Sequence, residues 1–531
     1  MAHSCTTIPI QPVVARLSGQ IALLLIAVLA IAPSAAQPSI DWQLAVGGGS
    51  LDYAKEIHQT ADGGYIIAAY TGSTDGDVLD NHGFNDAWVV KLDGSGSIAW
   101  QSTLGGSSDD RAYSIDQTAD GGYIMAGSTG SSDGDVTGSH GGPADVWLVK
   151  LDQNGTLLWQ KCLGGTGEDV AYAVRQTSDG GYVFAGNTTS DDWDVSGNHG
   201  GSDYWVVKVD TVGGVVWQAT IGGSDYDIAA SIRETSDGGY VVAGRSHSMD
   251  GDVTSGHGDA DAWIVKLDAN GALVAQHALG GSSYDRVSSI EESTDGGFIA
   301  IGTSMSNDGD VSGSHGSGGD AWVVKLDAGL GLSWQKALGG SNVDSGNSIQ
   351  QEVDGGYVLL GMSASNNGDV TLNHGPFDYW IAKIDAIGNV EWQLTMGGDG
   401  SDEGVCLDRT TDGGYVCCGD IKSFDGDVTG FHGAKDGWVV KVSDVSTNVE
   451  EEHEPSLVIR PGEGGQILHV TTIENVTDAT ICLINSAGQQ VACERMSGRQ
   501  HALSIGHLPS GSYLLVLGSG SSTLSGTFVK E

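Results

Sequence analysis

Seven short segments of this sequence have the pattern of β-strands that are apolar on both faces. In residues 88–92 (Trp-Val-Val-Lys-Leu), Trp88, Val90 and Leu92 share one face of an extended strand and Val89 lies on the other. A strand with two apolar faces is covered on both sides, so each segment is expected between two packed layers. The seven segments, each opened by Asp-x-Trp, begin at Trp88, Trp147, Trp205, Trp263, Trp322, Trp380 and Trp438.

Two further markers recur in constant register with these segments. Asp-Gly-Gly followed by Tyr or Phe begins at Asp62, Asp120, Asp179, Asp237, Asp295, Asp354 and Asp412. A His-Gly pair begins at His82, His140, His199, His257, His315, His374 and His432. Successive His residues are 58 or 59 positions apart, which indicates seven copies of one structural unit.

Each unit is expected to contain four strands. In the second unit they cover residues 112–118, 123–127, 146–152 and 156–163. Asp120-Gly-Gly separates the first two strands and Asn154-Gly separates the last two, and such dipeptides between β-rich runs are strong hairpin signals. Four-stranded sheets stacked around an axis cover both faces of every sheet, which favours a β-propeller.

The two ends of the repeat region predict that the propeller is closed. Residues 40–43 (Ile-Asp-Trp-Gln) match the fourth strands, which contain Trp100, Trp159, Trp217, Trp334 and Trp392. The seventh unit stops after Val442 without a fourth strand of its own. Pairing of the N-terminal strand with that unit closes a seven-bladed propeller over residues 37–444 and removes both free edges. A linear β-solenoid is the alternative, although its repeats are usually shorter and gain nothing from this offset.

The first 36 residues have the features of a signal peptide. An apolar run over residues 21–32 is followed by small residues ending at Ala36. The run is too short to cross a bilayer as a helix, which needs roughly 20 residues, although a retained anchor is an alternative. We therefore expect a mature chain without a membrane span, secreted or held at the outer cell surface.

The net charge narrows the possible partners. The formal charge is −45, with 84 Gly and only 9 Pro among 531 residues. A nucleic-acid partner is excluded because phosphate recognition requires clustered Lys and Arg, and anionic membranes are disfavoured for the same reason. High Gly content with few Pro is typical of short strands joined by tight turns.

The repeat of 58 or 59 residues ends near Ser443. An acidic linker over residues 445–455 leads to short apolar strands, which predict a small β-sandwich over residues 456–531. The expected strands are 457–459, 467–470, 480–484, 490–493, 512–517 and 527–529. Cys482 and Cys493 are equidistant from a turn, so they form either a cross-strand disulfide or two buried thiols. The spacing leaves open how Cys162, Cys406, Cys417 and Cys418 are paired.

The C-terminal segment resembles the type A C-terminal sorting domain of type IX secretion. The resemblance is carried by residues 457–461 (Leu-Val-Ile-Arg-Pro), 482–489, 508–516 (Leu-Pro-Ser-Gly-Ser-Tyr-Leu-Leu-Val) and 528–530. Two positions depart from the family: Pro-Asn-Pro is replaced by Arg-Pro-Gly at 460–462, and the chain ends in Glu531. The resemblance implies that residues 456–531 engage the type IX machinery and are then removed. The seven units likewise resemble the Asp-Gly-Gly-Tyr propeller repeats of exported bacterial proteins.

Each unit also repeats a polar set represented by Asp77, His82, Asp86 and Trp88. Because an active site is normally single, we expect these residues to satisfy buried loop groups and the Trp indole within each blade. Asp-Gly-Asp pairs offer hard oxygen ligands, so Ca²⁺ is the one cofactor with candidate ligands. These are Asp75, Asp77, Asp133, Asp135, Asp250, Asp252, Asp308, Asp310, Asp425 and Asp427. Asn367 and Trp193 interrupt the pattern in two units.

The sequence contains no nucleophile elbow, zinc-protease or phosphate-loop motif, so we do not expect an enzyme. We expect a secreted or surface scaffold for adhesion or for binding an extracellular glycan or protein. A polysaccharide-active enzyme and a purely structural surface protein are the alternatives. Loop residues that differ between blades are the expected binding surface: Trp193, Arg245, His247, Lys422 and Phe424.

Overall fold

The computed structural model describes residues 38–443, 457–461, 466–486, 489–519 and 522–530. The predicted signal peptide (1–36) and acidic linker (445–455) lie outside the described residues. All regular elements in the described ranges are β-strands. Accordingly, the described part of the chain contains no helix of the length and apolarity that a membrane crossing requires.

The repeat region forms seven four-stranded antiparallel sheets, here called blades 1–7. The first six blades each take four consecutive strands. Blade 1 contains β2 Asp52–Gln59, β3 Tyr65–Thr71, β4 Asp86–Leu92 and β5 Ile98–Leu104. Blade 2 contains β6 Asp110–Gln117, β7 Tyr123–Thr129, β8 Asp145–Leu151 and β9 Leu157–Leu163. Blade 3 contains β10 Asp169–Gln176, β11 Tyr182–Thr188, β12 Asp203–Val209 and β13 Val215–Ile221.

The next three blades follow the same order. Blade 4 contains β14 Asp227–Glu234, β15 Tyr240–Ser246, β16 Asp261–Leu267 and β17 Leu273–Leu279. Blade 5 contains β18 Asp285–Glu292, β19 Phe298–Ser304, β20 Asp320–Leu326 and β21 Leu332–Leu338. Blade 6 contains β22 Asp344–Gln351, β23 Tyr357–Ser363, β24 Asp378–Ile384 and β25 Val390–Met396. In blade 2, the four strands predicted from the sequence are confirmed, with shifts of one or two residues at their ends.

Blade 7 is completed by the N-terminal strand of the propeller. Its sheet has the order β1-β28-β27-β26, with β1 Ile40–Val46, β26 Glu403–Arg409, β27 Tyr415–Ile421 and β28 Asp436–Val442. Ala45 lies opposite Trp438 and Trp42 lies opposite Lys441. The closed seven-bladed propeller predicted from the sequence is confirmed, and the linear solenoid is excluded.

The third strand of every blade is packed on both faces, as its sequence pattern predicts. Trp88, Val90 and Leu92 belong to a core shared with blade 7, whereas Val89 belongs to the core shared with Trp147 of blade 2. All of these side chains are buried. Burial of apolar area on both sides of each sheet therefore holds neighbouring blades together.

The first strand of each blade is innermost, and the seven first strands line the axis. The start of β2 and the end of β3 lie at the same end of the blade. We call this end of the ring the loop face; it carries residues 72–85 and 105–109 and their equivalents. The opposite end, the turn face, carries the Asp-Gly-Gly turns. There Lys91 closes the turn by an ion pair of 3.1 Å with Asp62, and the pair recurs in the other six blades.

The C-terminal region is a five-stranded antiparallel sheet with its own core. It contains β29 Leu457–Pro461, β30 Ile467–Asn485, β31 Gln490–Ser504, β32 Gly511–Ser519 and β33 Ser522–Lys530. Two strands that the sequence predicts separately, 467–470 and 480–484, form the single strand β30. Register shifts along β30 let both of its halves, through Leu468 and Ile481, contribute to one core. A disulfide joins Cys482 and Cys493, whereas Cys162, Cys406, Cys417 and Cys418 are free thiols.

Candidate functional site

The repeated Trp and His residues have structural roles, although the partner of the Trp differs from the expectation. The indole N–H of Trp88 donates a hydrogen bond of 2.8 Å to Gln101 on the fourth strand, not to Asp77 or His82. His82 instead contacts Asp86, with 2.6 Å between Nδ1 and Oδ2. The Trp–Gln bond is present in every blade. Because this hydrogen bond stabilises all seven blades alike, it does not indicate a binding or catalytic site in any one of them.

The calcium candidates accept hydrogen bonds from the loops between blades. The first Asp of each pair accepts from a backbone N–H, as Asp133 does from Ser107 at 2.8 Å. The second accepts from a glycine, as Asp135 does from Gly105 at 3.2 Å. Asp75, Asp250, Asp308 and Asp425 repeat the first contact. Asp77, Asp252, Asp310 and Asp427 repeat the second contact.

These hydrogen bonds give the Asp-Gly-Asp pairs a structural role that requires no ion. In the described ranges, no cluster of three or more His, Cys, Asp and Glu side chains has the arrangement of a metal site. Calcium binding stays a prediction, to be tested by melting the protein with and without a chelator.

Four of the five variable residues lie where the sequence places them. Trp193, His247, Lys422 and Phe424 are in loops of the loop face, and the Trp193 and Phe424 side chains are 72% and 78% exposed. Arg245 is not a loop residue: it lies in β15, paired with Ala262 and Ile228. Its guanidinium lies 6.0 Å from the centre of the Tyr284 ring. Arg245 therefore packs against the neighbouring blade 5.

The axial wall is where the sevenfold repeat is broken. At the fifth residue after the Asp that opens each blade, every blade has a buried aliphatic side chain, such as Ile57. One residue further, the seven blades carry five different polar or charged residue types: His58, Asp116, Arg175, Arg233, Glu291, Gln350 and Asp408. A cavity of about 380 Å³ lies along this wall. This volume is within the range of small-molecule sites, roughly 300–1,000 Å³.

Charged groups from several blades meet in this cavity towards the turn face. Glu56 of blade 1 forms an ion pair of 2.5 Å with Arg175 of blade 3, and its second oxygen accepts from Ser114 of blade 2 at 2.6 Å. His58 lies 3.2 Å from Glu56 and 3.7 Å from Asp408. These contacts join blades 1, 2, 3 and 7 across the axis.

The pKa values in this cluster are shifted in opposite directions. Burial opposes ionisation of Glu56, yet Arg175 and then His58 hold its pKa well below the ordinary value. Burial also opposes protonation of His58, yet Glu56 and Asp408 raise its pKa well above 6.5. Burial raises the pKa of Glu291, although Arg233 lies 3.7 Å away. The cavity therefore contains one firmly ionised carboxylate and one that takes up a proton more readily.

A row of four tyrosines runs along the wall near the loop face. Tyr53 and Tyr70 stack with ring centres 4.6 Å apart. Tyr70 lies 6.0 Å from Tyr113, and Tyr113 lies 5.2 Å from Tyr172. All four rings are partly exposed, and Tyr113 and Tyr172 line the cavity. We call residues 53, 70, 113 and 172 the tyrosine row.

The sequence contained a signal for this wall that motif searching missed. The propeller has six arginines, and all lie on the first or second strands, close to the axis: Arg111, Arg175, Arg233, Arg245, Arg286 and Arg409. In a chain of net charge −45, an arginine at a position where the other units have a different residue is an unusual feature. Such arginines are the sequence signal for this wall.

No known protein-family model matches the chain. Regulatory protein FlaEY of Caulobacter vibrioides is 27% identical over 366 residues, covering 60% of this chain and 37% of that protein's length. The Neurospora crassa Pan2 WD40 domain has a TM-score of 0.32 at 11% identity, covering 62% of this chain and 88% of that domain. The extracellular region of Plexin A4 has a TM-score of 0.47 at 9% identity, covering 91% of this chain and 62% of that one. These similarities assign no function to the chain.

Proposed function

We propose that this protein is an exported propeller scaffold that binds an extracellular glycan at the loop-face end of its axial cavity. The observation that carries the proposal is the tyrosine row, which is built from three blades and is not repeated around the ring. A partly exposed Tyr offers an apolar ring face together with a hydroxyl. Sugar rings present C–H faces and hydroxyls, so they match such a surface.

Polar groups beside the row supply hydrogen-bond partners for sugar hydroxyls. The Lys55 ammonium lies 4.9 Å from the centre of the Tyr53 ring and forms an ion pair of 3.1 Å with Asp420. Ser288 and Asn347 line the same cavity from the opposite side of the axis. Aromatic surface combined with a few fixed polar groups is the usual composition of a small-molecule site.

Glycan binding is tested on the full mature chain with an array of neutral and acidic oligosaccharides. Tyr113→Ala and Tyr172→Ala are expected to weaken binding of the selected glycan by about tenfold or more, since each removes aromatic contact area. Phe424→Ala is the matched control, because it removes an aromatic ring from an exposed loop outside the row. If only Phe424→Ala lost binding, the glycan site would lie on the variable loops and not on the tyrosine row.

The proposed route of export rests on residues 456–531 and their resemblance to type IX sorting domains. Surface display or release after passage through the outer membrane follows from that resemblance. The route is tested in a bacterium with type IX secretion by removing residues 456–531. Retention of the truncated chain in the periplasm supports the route, and its unchanged export would contradict it.

A polysaccharide-active enzyme is a second candidate, favoured by two carboxyl groups, Glu56 and Glu291, that line one cavity and have opposite pKa shifts. A carboxylic acid and a carboxylate held in different protonation states are the groups that glycoside hydrolysis uses. Incubation of the bound oligosaccharide with wild-type protein and Glu291→Gln tests this candidate. If the wild-type protein cleaves the oligosaccharide and Glu291→Gln does not, the function is catalysis and not binding alone.

A further inference from the structure

The six arginines of the propeller lie on the first and second strands, and most of them are paired there with carboxylates. Arg175 pairs with Glu56 at 2.5 Å, and Arg233 lies 3.7 Å from Glu291. On the rim of the wall, Arg409 lies 3.5 Å from Glu352 and Arg111 lies 3.7 Å from Asp109. Four of the six arginines thus have a carboxylate partner within the protein.

The remaining two, Arg245 and Arg286, have no such partner. The Arg245 guanidinium lies 6.0 Å from the ring centre of Tyr284, which is two residues before Arg286 in the next blade. Among the described residues, neither forms an ion pair with a carboxylate. The buried Nε of Arg245 has no hydrogen-bond partner. Arg286 has one long hydrogen bond, 3.4 Å from Nη2 to the Ser345 hydroxyl. Arg286 also lines the axial cavity.

Two partly buried guanidinium groups on adjacent blades, neither paired with a carboxylate, are an unfavourable arrangement without an anion. Burial, with Arg245 as a nearby like charge, lowers the pKa of Arg286. An oxyanion placed between them would relieve this repulsion and accept charge-assisted hydrogen bonds from planar donors that suit a carboxylate or sulfate. Its attraction would be stronger in the partly desolvated cavity than in water.

The arginine pair is continuous with the tyrosine row. Tyr172 and Arg286 line the same axial cavity. Burial raises the pKa of Tyr172 to about 12, and the positive charge of Arg245 opposes this shift. Tyr172 is the last member of the row, so a chain of sugar rings lying on the row would reach the arginines at this end. Each surface alone covers only part of such a ligand.

We propose that Arg245 and Arg286 form an oxyanion subsite, and that the ligand is therefore an acidic oligosaccharide carrying carboxylate or sulfate groups. This inference rests on the proposed glycan-binding function and names the chemical class of its ligand. The subsite selects acidic glycans in spite of the overall charge of −45, because short-range contacts to two arginines act within a cavity, whereas the outer charges are screened beyond about 8 Å at physiological salt.

The subsite is tested by calorimetric titration of the full mature chain with an oligogalacturonate, a sulfated oligosaccharide and a neutral oligosaccharide of equal length. Arg245→Gln and Arg286→Gln are each expected to weaken binding of the acidic ligands about tenfold or more, and to leave the neutral ligand unchanged. The carboxylated and sulfated arms decide which oxyanion is preferred. Lys161→Gln, on the outer strand β9, removes one positive charge far from the axis and is the matched control.

The outcomes separate the two proposals. Equal binding of acidic and neutral oligosaccharides, unchanged in both arginine variants, overturns the oxyanion subsite and leaves glycan binding standing. Absence of binding by any oligosaccharide overturns the glycan function. The subsite is then tested by titrating inorganic sulfate and following the Nε–H NMR signals of Arg245 and Arg286. Unmoved signals would overturn the subsite as well.

Discussion

The indole N–H of Trp438 donates a hydrogen bond of 2.7 Å to the side-chain oxygen of Gln43, although the two residues are 395 positions apart. The same bond within blade 2 joins Trp147 to Gln160, which are 13 positions apart. Blade 7 therefore contains the same Trp–Gln hydrogen bond as the six other blades. Its fourth strand, however, comes from the N-terminal end of the repeat region.

Gln43→Ala is expected to destabilise the propeller by about 1–3 kcal/mol, because the buried indole N–H of Trp438 loses its partner. Thermal unfolding of the full chain measures the loss. Hydrogen exchange should also become faster in β1, since the variant weakens the strand that closes the ring. Gln160→Ala is the control: a comparable loss of stability without faster exchange in β1 is expected. Unchanged melting of Gln43→Ala would contradict the role of this bond in closure.

Asp86→Asn is expected to stabilise the protein at neutral pH by about 1 kcal/mol, the lower end of the cost of a buried unpaired acceptor. Burial raises the pKa of Asp86, and its Oδ1 has no hydrogen-bond partner. Asp86 Oδ1 and Asp110 Oδ2 both lie where a side chain on Gly105 would project. The amide removes one of two facing negative charges. Denaturation at neutral pH, compared with the exposed control Asp399→Asn, measures the gain.

The pH dependence of stability follows from two groups of aspartates. Burial raises the pKa of the seven aspartates that open the third strands: Asp86, Asp145, Asp203, Asp261, Asp320, Asp378 and Asp436. A raised pKa in the folded state adds stability at low pH that is lost as pH rises through that pKa. By contrast, hydrogen bonds and the turn lysines lower the pKa of Asp62 to about 2, against its burial. Such groups add stability that is lost as pH falls from 3.8 towards 2.

Melting temperature is therefore expected to rise as pH falls from neutral towards the raised pKa values, and to fall again below pH 3.8. Calorimetry over this range measures the profile. The Asp86→Asn variant should lose part of the rise, because one of the seven carboxyls no longer titrates. A profile that declines steadily from neutral pH downwards would contradict the assignment.

Trp193→Gly is expected to stabilise blade 3 by about 1 kcal/mol, since a left-handed backbone costs a non-glycine residue roughly 1–2 kcal/mol. Trp193 has φ of 54°, whereas glycine occupies the equivalent position 134 with φ of 65°. Loss of the contact with the His140 ring, 5.2 Å away, offsets part of the gain. Gly134→Ala is the control and should be destabilising. A less stable Trp193→Gly would mean that the ring contact outweighs the backbone strain.

Glu56→Gln is expected to destabilise the protein by about 3 kcal/mol or more, because it removes the carboxylate of a buried ion pair and leaves Arg175 uncompensated. The pKa of His58 should fall in the same variant, since Glu56 is the nearer of the two carboxylates that raise it. NMR titration of the His58 ring tests this. Asp408→Asn, which removes the more distant carboxylate, should lower the pKa of His58 by less.

For the propeller, the sequence alone determined the strands, the turns, the seven blades and the closure of the ring. These features follow from short-range rules, since alternation of apolar residues, Asp-Gly-Gly turns and a constant spacing all act within one unit of 58 or 59 residues. The closure also followed from the sequence. The segment around Trp42 has the pattern of a fourth strand but precedes the first unit, and the seventh unit has no fourth strand of its own.

Only the tertiary structure decided the candidate site. Glu56 and Arg175 are 119 positions apart, and the tyrosine row draws its members from three blades. Each first strand supplies a few side chains to the axis, and which of them meet depends on blade curvature and on side-chain reach across the axis. No local pattern encodes those distances. Arg245 was expected in a loop because the second strand of each blade runs two residues further than the sequence pattern predicts, so that β15 extends to Ser246.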